Sequence, residues 1–272
     1  MKKIIVITGS TSGIGNDLVK KFSDENIVFA GYRDEEQVIK LKKISSNVIP
    51  FYIDLEKKQS IRQAAAYIKS KTKNIDTLIN VAGCVIAGAL EHLDADDIRK
   101  QFEVNTFSHL DFTQRLLPLI NEGKIINISS KSSFGIFPFI APYCASKRAL
   151  DILFNSLQLE IHKNIKIVSV KPGSIATPIW HKSIELNKKS IKKAFDCYQK
   201  EMEYLIDNAK KNTTKGINVK KVTDKILKIN SMQNPKSSYT IGFDAMLCEI
   251  LSRFPQDWIN FVIKLEMKRK IK

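Results

Sequence analysis

Lys3-Ile4-Ile5-Val6-Ile7-Thr8-Gly9-Ser10-Thr11-Ser12-Gly13-Ile14-Gly15 is the stretch from which the rest of the chain is read. The β-branched run from Lys3 to Thr8 has the composition of a buried strand. After the turn, Ile14, Leu18, Val19 and Phe22 fall on one face of a helix. The turn between them is spaced G-x-x-x-G-x-G, not the G-x-G-x-x-G of the general dinucleotide fingerprint. Glycines permit a tight bend and let backbone N–H groups approach a pyrophosphate at a helix N-terminus, where the dipole favours negative charge. A Gly-rich turn opening a βαβ unit therefore predicts a nucleotide site built on Gly9, Ser10, Thr11, Ser12, Gly13, Ile14 and Gly15.

The pattern repeats outward from that turn. Strands are expected at 27–31, 48–53, 76–80, 124–129, 165–170 and 238–242, and helices at 34–43, 60–71, 94–120, 142–162, 190–211 and 219–229. Alternation of this kind means an α/β fold with a doubly wound, Rossmann-type parallel sheet covered on both faces. No repeat or low-complexity tract interrupts it, so residues 1–272 are expected to form one domain. An insertion at about 178–215 is placed where an open sheet could use a helical substrate lid.

Composition narrows the class. The 43% hydrophobic content suffices for a substantial core. Cys84, Cys144, Cys197 and Cys248 are scattered with no Cys-x-x-Cys pair, and the four histidines are equally dispersed. No metal site is expected, and a reducing, cytoplasmic setting fits. The apolar run at the N-terminus is too short for a signal peptide, and no window approaches the roughly 20 apolar residues of a membrane span. The net charge is +16, yet the 44 basic residues comprise 37 Lys and 7 Arg, spread along the chain. Groove reading and bidentate phosphate recognition favour Arg, so the charge is read as a solvated surface and no nucleic-acid partner is expected.

Two local signals carry chemistry. At the end of the second strand an acidic side chain would take the ribose 2′-hydroxyl of NAD(H), whereas Arg accommodates the 2′-phosphate of NADP(H). Arg33 stands there, eighteen residues after Gly15, so NADP(H) is the preferred cofactor and NAD(H) the lesser, with Asp34 alongside as the contrary sign. Tyr143 and Lys147 lie four apart at the start of a helix introduced by Pro142, on one face. A free phenol has a pKa of about 10. A neighbouring ammonium would bring it closer to working pH as a general acid/base. Ser129-Ser130 and Pro172-Gly173 end the flanking strands, at the carboxyl edge where open α/β sheets bind ligands.

These landmarks, together with Asp54-Leu55, Asn80-Val81-Ala82-Gly83, Asn105 and Thr177, resemble the short-chain dehydrogenase/reductase family over nearly the whole chain. The resemblance implies a catalytic set of Asn105, Ser130, Tyr143 and Lys147. Ser130 is chosen over Ser129 because it lies thirteen residues before Tyr143, as in the family. Tyr143 would exchange the proton with the reacting oxygen and Ser130 would hydrogen-bond it. Lys147 would hold the nicotinamide ribose and lower the Tyr pKa, and Asn105 would anchor a water linking Lys147 to solvent. Asp54 and Leu55 would line the adenine pocket. Asn80, Ala82 and Gly83 would pass under the adenosine ribose, with Pro172, Gly173, Ile175 and Thr177 at the nicotinamide. Val81 departs from the family, which often has a second Asn there, and Ser108 departs where it often has Gly.

The segment 234–242 with Asp244-Ala245, and Arg33 too, look like the subgroup of retinol and 17β-hydroxysteroid dehydrogenases. That likeness implies a lipophilic ketone, aldehyde or alcohol as substrate. Phe134, Phe137, Phe139, Ile179 and Trp180 are candidate apolar walls or, alternatively, core or subunit contacts. In the tail, 257–272, a helix would place Trp258, Phe261, Val262 and Leu265 on one face among basic residues. Such a helix can lie on an anionic membrane, close over its own domain or join subunits. A homo-oligomer, dimer or tetramer, is expected. The competing reading is a catalytically silent NADP(H)-sensing protein of the same fold, against which the intact Ser130, Tyr143 and Lys147 argue.

Overall fold

A computed structural model describes residues 2–271. Met1 and Lys272, the outer limits of the expected domain and tail helix, lie outside the described residues. In chain order the elements are β1 (Ile4–Ile7), α1 (Gly13–Phe22), β2 (Ile27–Tyr32), α2 (Glu36–Lys42), β3 (Val48–Tyr52) and α3 (Lys58–Lys71). Then come β4 (Thr77–Asn80), α4 (Ala95–Phe102), α5 (Ser108–Leu116), β5 (Glu122–Ile128), α6 (Ala141–Glu160) and β6 (Asn164–Pro172). The remainder is α7 (Ile179–Leu186), α8 (Lys188–Lys215), α9 (Val219–Ser231), β7 (Ser238–Ile241), α10 (Phe243–Leu251) and α11 (Gln256–Lys270).

All seven strands are parallel, in the order β3-β2-β1-β4-β5-β6-β7. Strand order reverses at β1, which pairs with β2 on one side and β4 on the other. The crevice beyond the carboxyl ends of β1 and β4 is thus the place such sheets reserve for ligands.

Period-two alternation sends neighbouring side chains to opposite cores. Ile5 and Ile7 of β1 join Leu18, Val19 and Phe22 of α1 and Val222, Ile226 and Ile229 of α9. Val6 and Phe29 face the other way, onto Ile61 and Ile68 of α3, Phe112 of α5 and Phe154 of α6. A third, smaller cluster joins Ala89 to Ile191, Ala194 and Met202 of α8.

The structure departs from the sequence expectation in four places. The helix expected over 94–120 is broken: α4 and α5 are joined by a π-helical turn, Glu103–Phe107, and a 3₁₀ turn follows at Leu117–Leu119. Helices α7 and α10 were not anticipated. Helix α8 extends beyond the expected 190–211 and kinks at Tyr198 (φ −134°, ψ 37°). In α11, Trp258, Phe261 and Leu265 are exposed, while Ile259, Ile263 and Met267 are half-buried together with Val262. The helix is therefore turned so that most of the face expected to seek cover is outward.

Phe112 is fully buried and stacks on Phe51 with ring centroids 6.0 Å apart. Phe112→Ala should lower unfolding stability by about 3–5 kcal/mol in urea titrations with the m-value unchanged. A loss under about 1 kcal/mol would mean that this face of the sheet is not packed as described.

Candidate functional site

The turn after β1 is shaped by what lies behind it. Gly9 has φ +64°, and a Cβ there would sit 2.8 Å from the Ala82 Cα, closer than real side chains come. Glycine at position 9 is thus required by both backbone conformation and close approach. Ser12, extended in front of α1, makes no side-chain cap bond, so the N–H groups of the first helical turn keep their capacity for an external acceptor. Thr8 Oγ1 accepts from the N–H groups of Val81 (3.0 Å) and Ala82 (3.3 Å), tying the turn to the end of β4.

Beyond β4 the backbone runs without regular structure from Val81 to Gly88, largely buried at residues 85–87. Side chains satisfy it. His109 Nε2 meets the Ala82 carbonyl at 2.8 Å, and burial holds its imidazole down to about 3, so the ring is neutral and donates. Asn105, buried in the π-helical turn, accepts from the Cys84 N–H (2.9 Å) and donates to the Cys84 carbonyl (3.0 Å). Gln101 accepts from the Ile86 N–H at 2.6 Å. From the junction of α7 and α8, Asn187 accepts from the Ala87 N–H (2.8 Å) and donates to the Val85 carbonyl (2.7 Å). A π turn is a recurrent device at functional sites. Here it carries Asn105, and its bulge is what a uniform helical reading of 94–120 missed.

A cavity of about 750 Å³ opens along this edge of the sheet. Gly9, Thr11, Ser12, Gly13, Ile14, Arg33, Asp54, Leu55, Ala82, Gly83, Ser130, Tyr143, Lys147, Pro172, Gly173, Ile175 and Thr177 all line it. Four sequence-predicted residues do not. Ser10 is buried with its hydroxyl on the Ile7 carbonyl (2.8 Å), and Gly15 lies inside α1. Asn80 donates to Asn127 Oδ1 at 2.8 Å, joining β4 to β5 inside the sheet. Asn105 and Lys147 both approach Gly83 from the side of its missing Cβ, which would lie 3.2 Å from Asn105 Oδ1 and 3.7 Å from Lys147 Nζ.

Tyr143 and Lys147 are both buried on one face of α6, 8% and 3% exposed. The Ser130 hydroxyl accepts from the Ser132 N–H at 3.1 Å and lines the cavity together with Tyr143. The Ser129 hydroxyl is buried without a partner. Burial pushes the Tyr143 phenol up to about 12, and the neighbouring Ser130 hydroxyl works against that rise. Burial pushes the Lys147 ammonium down to about 8, partly offset by Asp151 one turn on. Lys147 donates to the Ile128 carbonyl at 2.8 Å. The causes that act on the phenol are its desolvation and the neighbouring Ser130, Cys144 and Cys84, and the expected lowering by Lys147 is not among them.

Several lining residues carried no signal in the sequence. Glu56, Gln37 and Lys100 lie near Arg33, and Val85, His181, Lys182 and Leu186 stand at the substrate end. Asp244 accepts from the Ser174 N–H (2.9 Å) and Lys131 Nζ (2.8 Å), fixing the loop after β6. Among the expected walls, Ile179 and Trp180 line the cavity, but Phe139 packs into the α8 cluster and Phe134 lies under the Lys171 ammonium at 4.5 Å. Phe137 stands beside Lys131 and also lies off the lining. Ser108 donates to the Leu55 carbonyl at 2.6 Å, which gives that departure from Gly a structural use. Among the described residues no group of acidic, His and Cys side chains could hold a metal, and no helix is long and apolar enough to cross a membrane.

Residues 3–188 match the family model described as short chain dehydrogenase. The chain is 30% identical to the uncharacterized oxidoreductase YusZ of Bacillus subtilis, covering 98% of this chain and 99% of that protein. It is 28% identical to a 3-ketodihydrosphingosine reductase of Bacteroides thetaiotaomicron, covering 97% of each. It is 30% identical to an NADPH-dependent 3-dehydrocapnine reductase of Ornithobacterium rhinotracheale, over 65% of this chain and 67% of that one. In fold it is similar to a short chain dehydrogenase of Burkholderia cenocepacia in complex with NADP (TM-score 0.71, 23% identity, 96% and 97% covered). It is similar, too, to one from Burkholderia phymatum in complex with NAD (TM-score 0.77, 16% identity, 96% and 95% covered).

The buried ammonium has a consequence for stability. Lys147 titrates near 8 when folded and at 10.5 in its ordinary state, so between those values the unfolded chain binds the extra proton and stability rises with pH. Tyr143 acts oppositely, and only above its ordinary 10. Relative to Lys147→Met, the nucleotide-free wild type should gain about 1–2 kcal/mol from pH 8 to about pH 9.5 in chemical denaturation. Parallel pH profiles would show that this ammonium is not buried.

Proposed function

The chain belongs to the short-chain dehydrogenase/reductase family, and from that premise we propose an NADP(H)-dependent oxidoreductase that moves hydride between the nicotinamide and a carbonyl or secondary alcohol carbon. The observation that carries the proposal is the meeting of Ser130, Tyr143 and Lys147, the last two one turn apart on α6, on the wall of the cavity that begins at the glycine turn. The nucleotide, when bound, supplies or accepts the hydride. The chain's own residues do the rest. Tyr143 delivers its phenolic proton to the carbonyl oxygen in reduction, or takes the alcohol proton in oxidation. Ser130, its oxygen held by the Ser132 N–H, donates to the same reacting oxygen. Lys147 keeps donors beyond the one spent on Ile128 and directs them at the nicotinamide ribose. Asn105 fixes the backbone next to Gly83 through its two hydrogen bonds to Cys84, beside that ammonium.

The residues fit a dinucleotide along the cavity. A diphosphate would rest on the N–H groups of the turn before α1, which Gly9 lets pack closely against Ala82. Arg33 on the cavity wall supports NADP(H), as does likeness to a relative named NADPH-dependent. For the substrate we propose a lipophilic ketone, aldehyde or alcohol, supported by Val85, Ile179, Trp180 and Leu186 on the lining and by the named sphingosine-type relative. Residues 178–215 would then act as its lid. The poised Ser130, Tyr143 and Lys147 argue against a silent sensor. Ile152 and Leu159, exposed on α6, support a subunit contact. The exposed Phe243, Phe254, Trp258 and Phe261 beside Lys264 and Lys268 support contact with a membrane surface. The four free cysteines support a cytoplasmic setting.

Tyr143→Phe should reduce turnover by about 10³-fold, in the range of a lost general acid, in a screen of NADPH oxidation against lipophilic ketones, aldehydes and sugars. NADPH affinity, read by fluorescence titration, should stay within about threefold, because the phenol acts on the reacting oxygen. A variant with wild-type rate would remove Tyr143 from the chemistry. Truncation after Pro255 should weaken co-sedimentation with anionic liposomes, and equal partitioning of the two proteins would exclude the membrane contact.

A further inference from the structure

Glu56 stands between two cations where β2 and β3 end. Lys100 Nζ, reaching over from α4, lies 2.9 Å from Glu56 Oε2, and Arg33 Nη1 lies 3.7 Å from Glu56 Oε1. Asp34 Oδ1 approaches Arg33 Nε at 3.8 Å. All four side chains line the adenosine end of the cavity. The contact with Lys100 is at the distance of a charge-assisted hydrogen bond, whereas both contacts to Arg33 are too long for one. The carboxylate therefore belongs chiefly to Lys100.

We propose that Lys100 is a specificity-determining residue, which by holding the Glu56 carboxylate leaves the Arg33 guanidinium available to a ribose 2′-phosphate. This rests on the NADP(H) reading and deepens it. Two carboxylates, Asp34 and Glu56, flank a single guanidinium. Without a second cation, that subsite carries net negative charge, and an incoming phosphate dianion meets repulsion. Lys100 balances the four side chains and draws Glu56 to the α4 side. Arg33 is the freest of the set, its side chain 61% exposed against 35% for Glu56 and 34% for Lys100. Its fork can therefore turn toward a ligand while the other two stay paired. Lys100 touches no phosphate in this scheme; it acts through Glu56.

The test uses the full chain and two probes that carry no nicotinamide, adenosine 2′,5′-bisphosphate and 5′-AMP, which differ only in the 2′-phosphate. Calorimetry gives the ratio of their dissociation constants. Lys100→Met should lower the preference for the bisphosphate by about five- to tenfold, the scale of a partly exposed charge interaction, and Lys100→Arg should keep it. Glu56→Gln should raise the preference by about two- to fivefold, on the same scale. The double variant Glu56→Gln/Lys100→Met should match Glu56→Gln alone, because Lys100 then has nothing to restrain. An unchanged ratio in Lys100→Met overturns the proposal. A loss that persists in the Glu56→Gln background overturns it as well, since Lys100 would then meet the phosphate directly. Equal binding of the two probes by the wild type would remove the NADP(H) reading together with this inference. A wild-type preference that Lys100→Met leaves unmoved removes only the role of Lys100.

Discussion

A backbone that leaves the carboxyl edge of a buried strand loses its ladder partners while still surrounded by protein. Each N–H and carbonyl it carries must then be satisfied in some other way, and an orphan costs about 1–3 kcal/mol. The stretch from Val81 to Gly88 meets this requirement with side chains drawn from across the chain: Thr8 from the first turn, Gln101 from α4, Asn105 from the π-helical turn, His109 from α5, and Asn187 with Ser190 from the lid helices. Each of those side chains is itself buried. The same stretch forms the floor of the cavity between Asp54 and Lys147, so the geometry of the site is set by a polar network and not by the sheet alone. A neutral His109 is part of that economy, because a charged ring so deeply buried would need a counter-ion, and only a carbonyl is offered.

The reactive pair is placed by the opposite principle. Desolvation disfavours phenolate and ammonium alike, so it drives Tyr143 upward and Lys147 downward, and each neutral form is brought nearer. The Ser130 hydroxyl and the Asp151 charge act against those shifts without cancelling them. A neutral phenol that retains its proton suits donation to a carbonyl oxygen. An ammonium poised near the working range responds to whatever charge enters the cavity. The fold thus carries a cost in stability at neutral pH for the Lys147 ammonium alone, since the Tyr143 phenol is neutral there whether the chain is folded or not.

Much of this was legible along the chain because the relevant signals are local. Alternation in Ile5, Val6 and Ile7, the glycines of the first turn, Pro142 ahead of Tyr143, and the four-residue step to Lys147 each follow from a short-range rule, and the parallel sheet follows from the succession of strands and helices. The signals that were missed depend on contacts far apart in sequence. Nothing near Asn80 announces that its amide reaches Asn127 in the next strand. The π turn at Glu103–Phe107 leaves the helical period almost intact on either side, so a uniform helix is the natural reading. Lys100 and Glu56 look like two solvated charges until α4 is laid across the end of β3. In α11 a period of 3.6 marks an apolar stripe but not which side of the helix faces the body, and the packed side is Ile259, Ile263 and Met267.

The segment from α7 to α8 shows why its side of the cavity is harder to read than the glycine turn. Around Asn187 it is bound to the floor by several short hydrogen bonds, including those of Ser183 and Ser190. The apolar cluster of Ala89, Ile191, Ala194 and Met202 spans the kink at Tyr198, and past the kink Met202 is the one buried residue of α8. Local opening free energies follow buried contacts, so the distal part of α8 is the section most easily displaced. Ile179, Trp180 and Leu186 of α7, on the cavity lining, lie just before the tethered junction. They can be exchanged without disturbing the floor, because no backbone group of Val81 to Gly88 depends on them. The geometry of the floor is therefore written into the buried network, while the wall facing it is written on a short helix that the network merely anchors at one end.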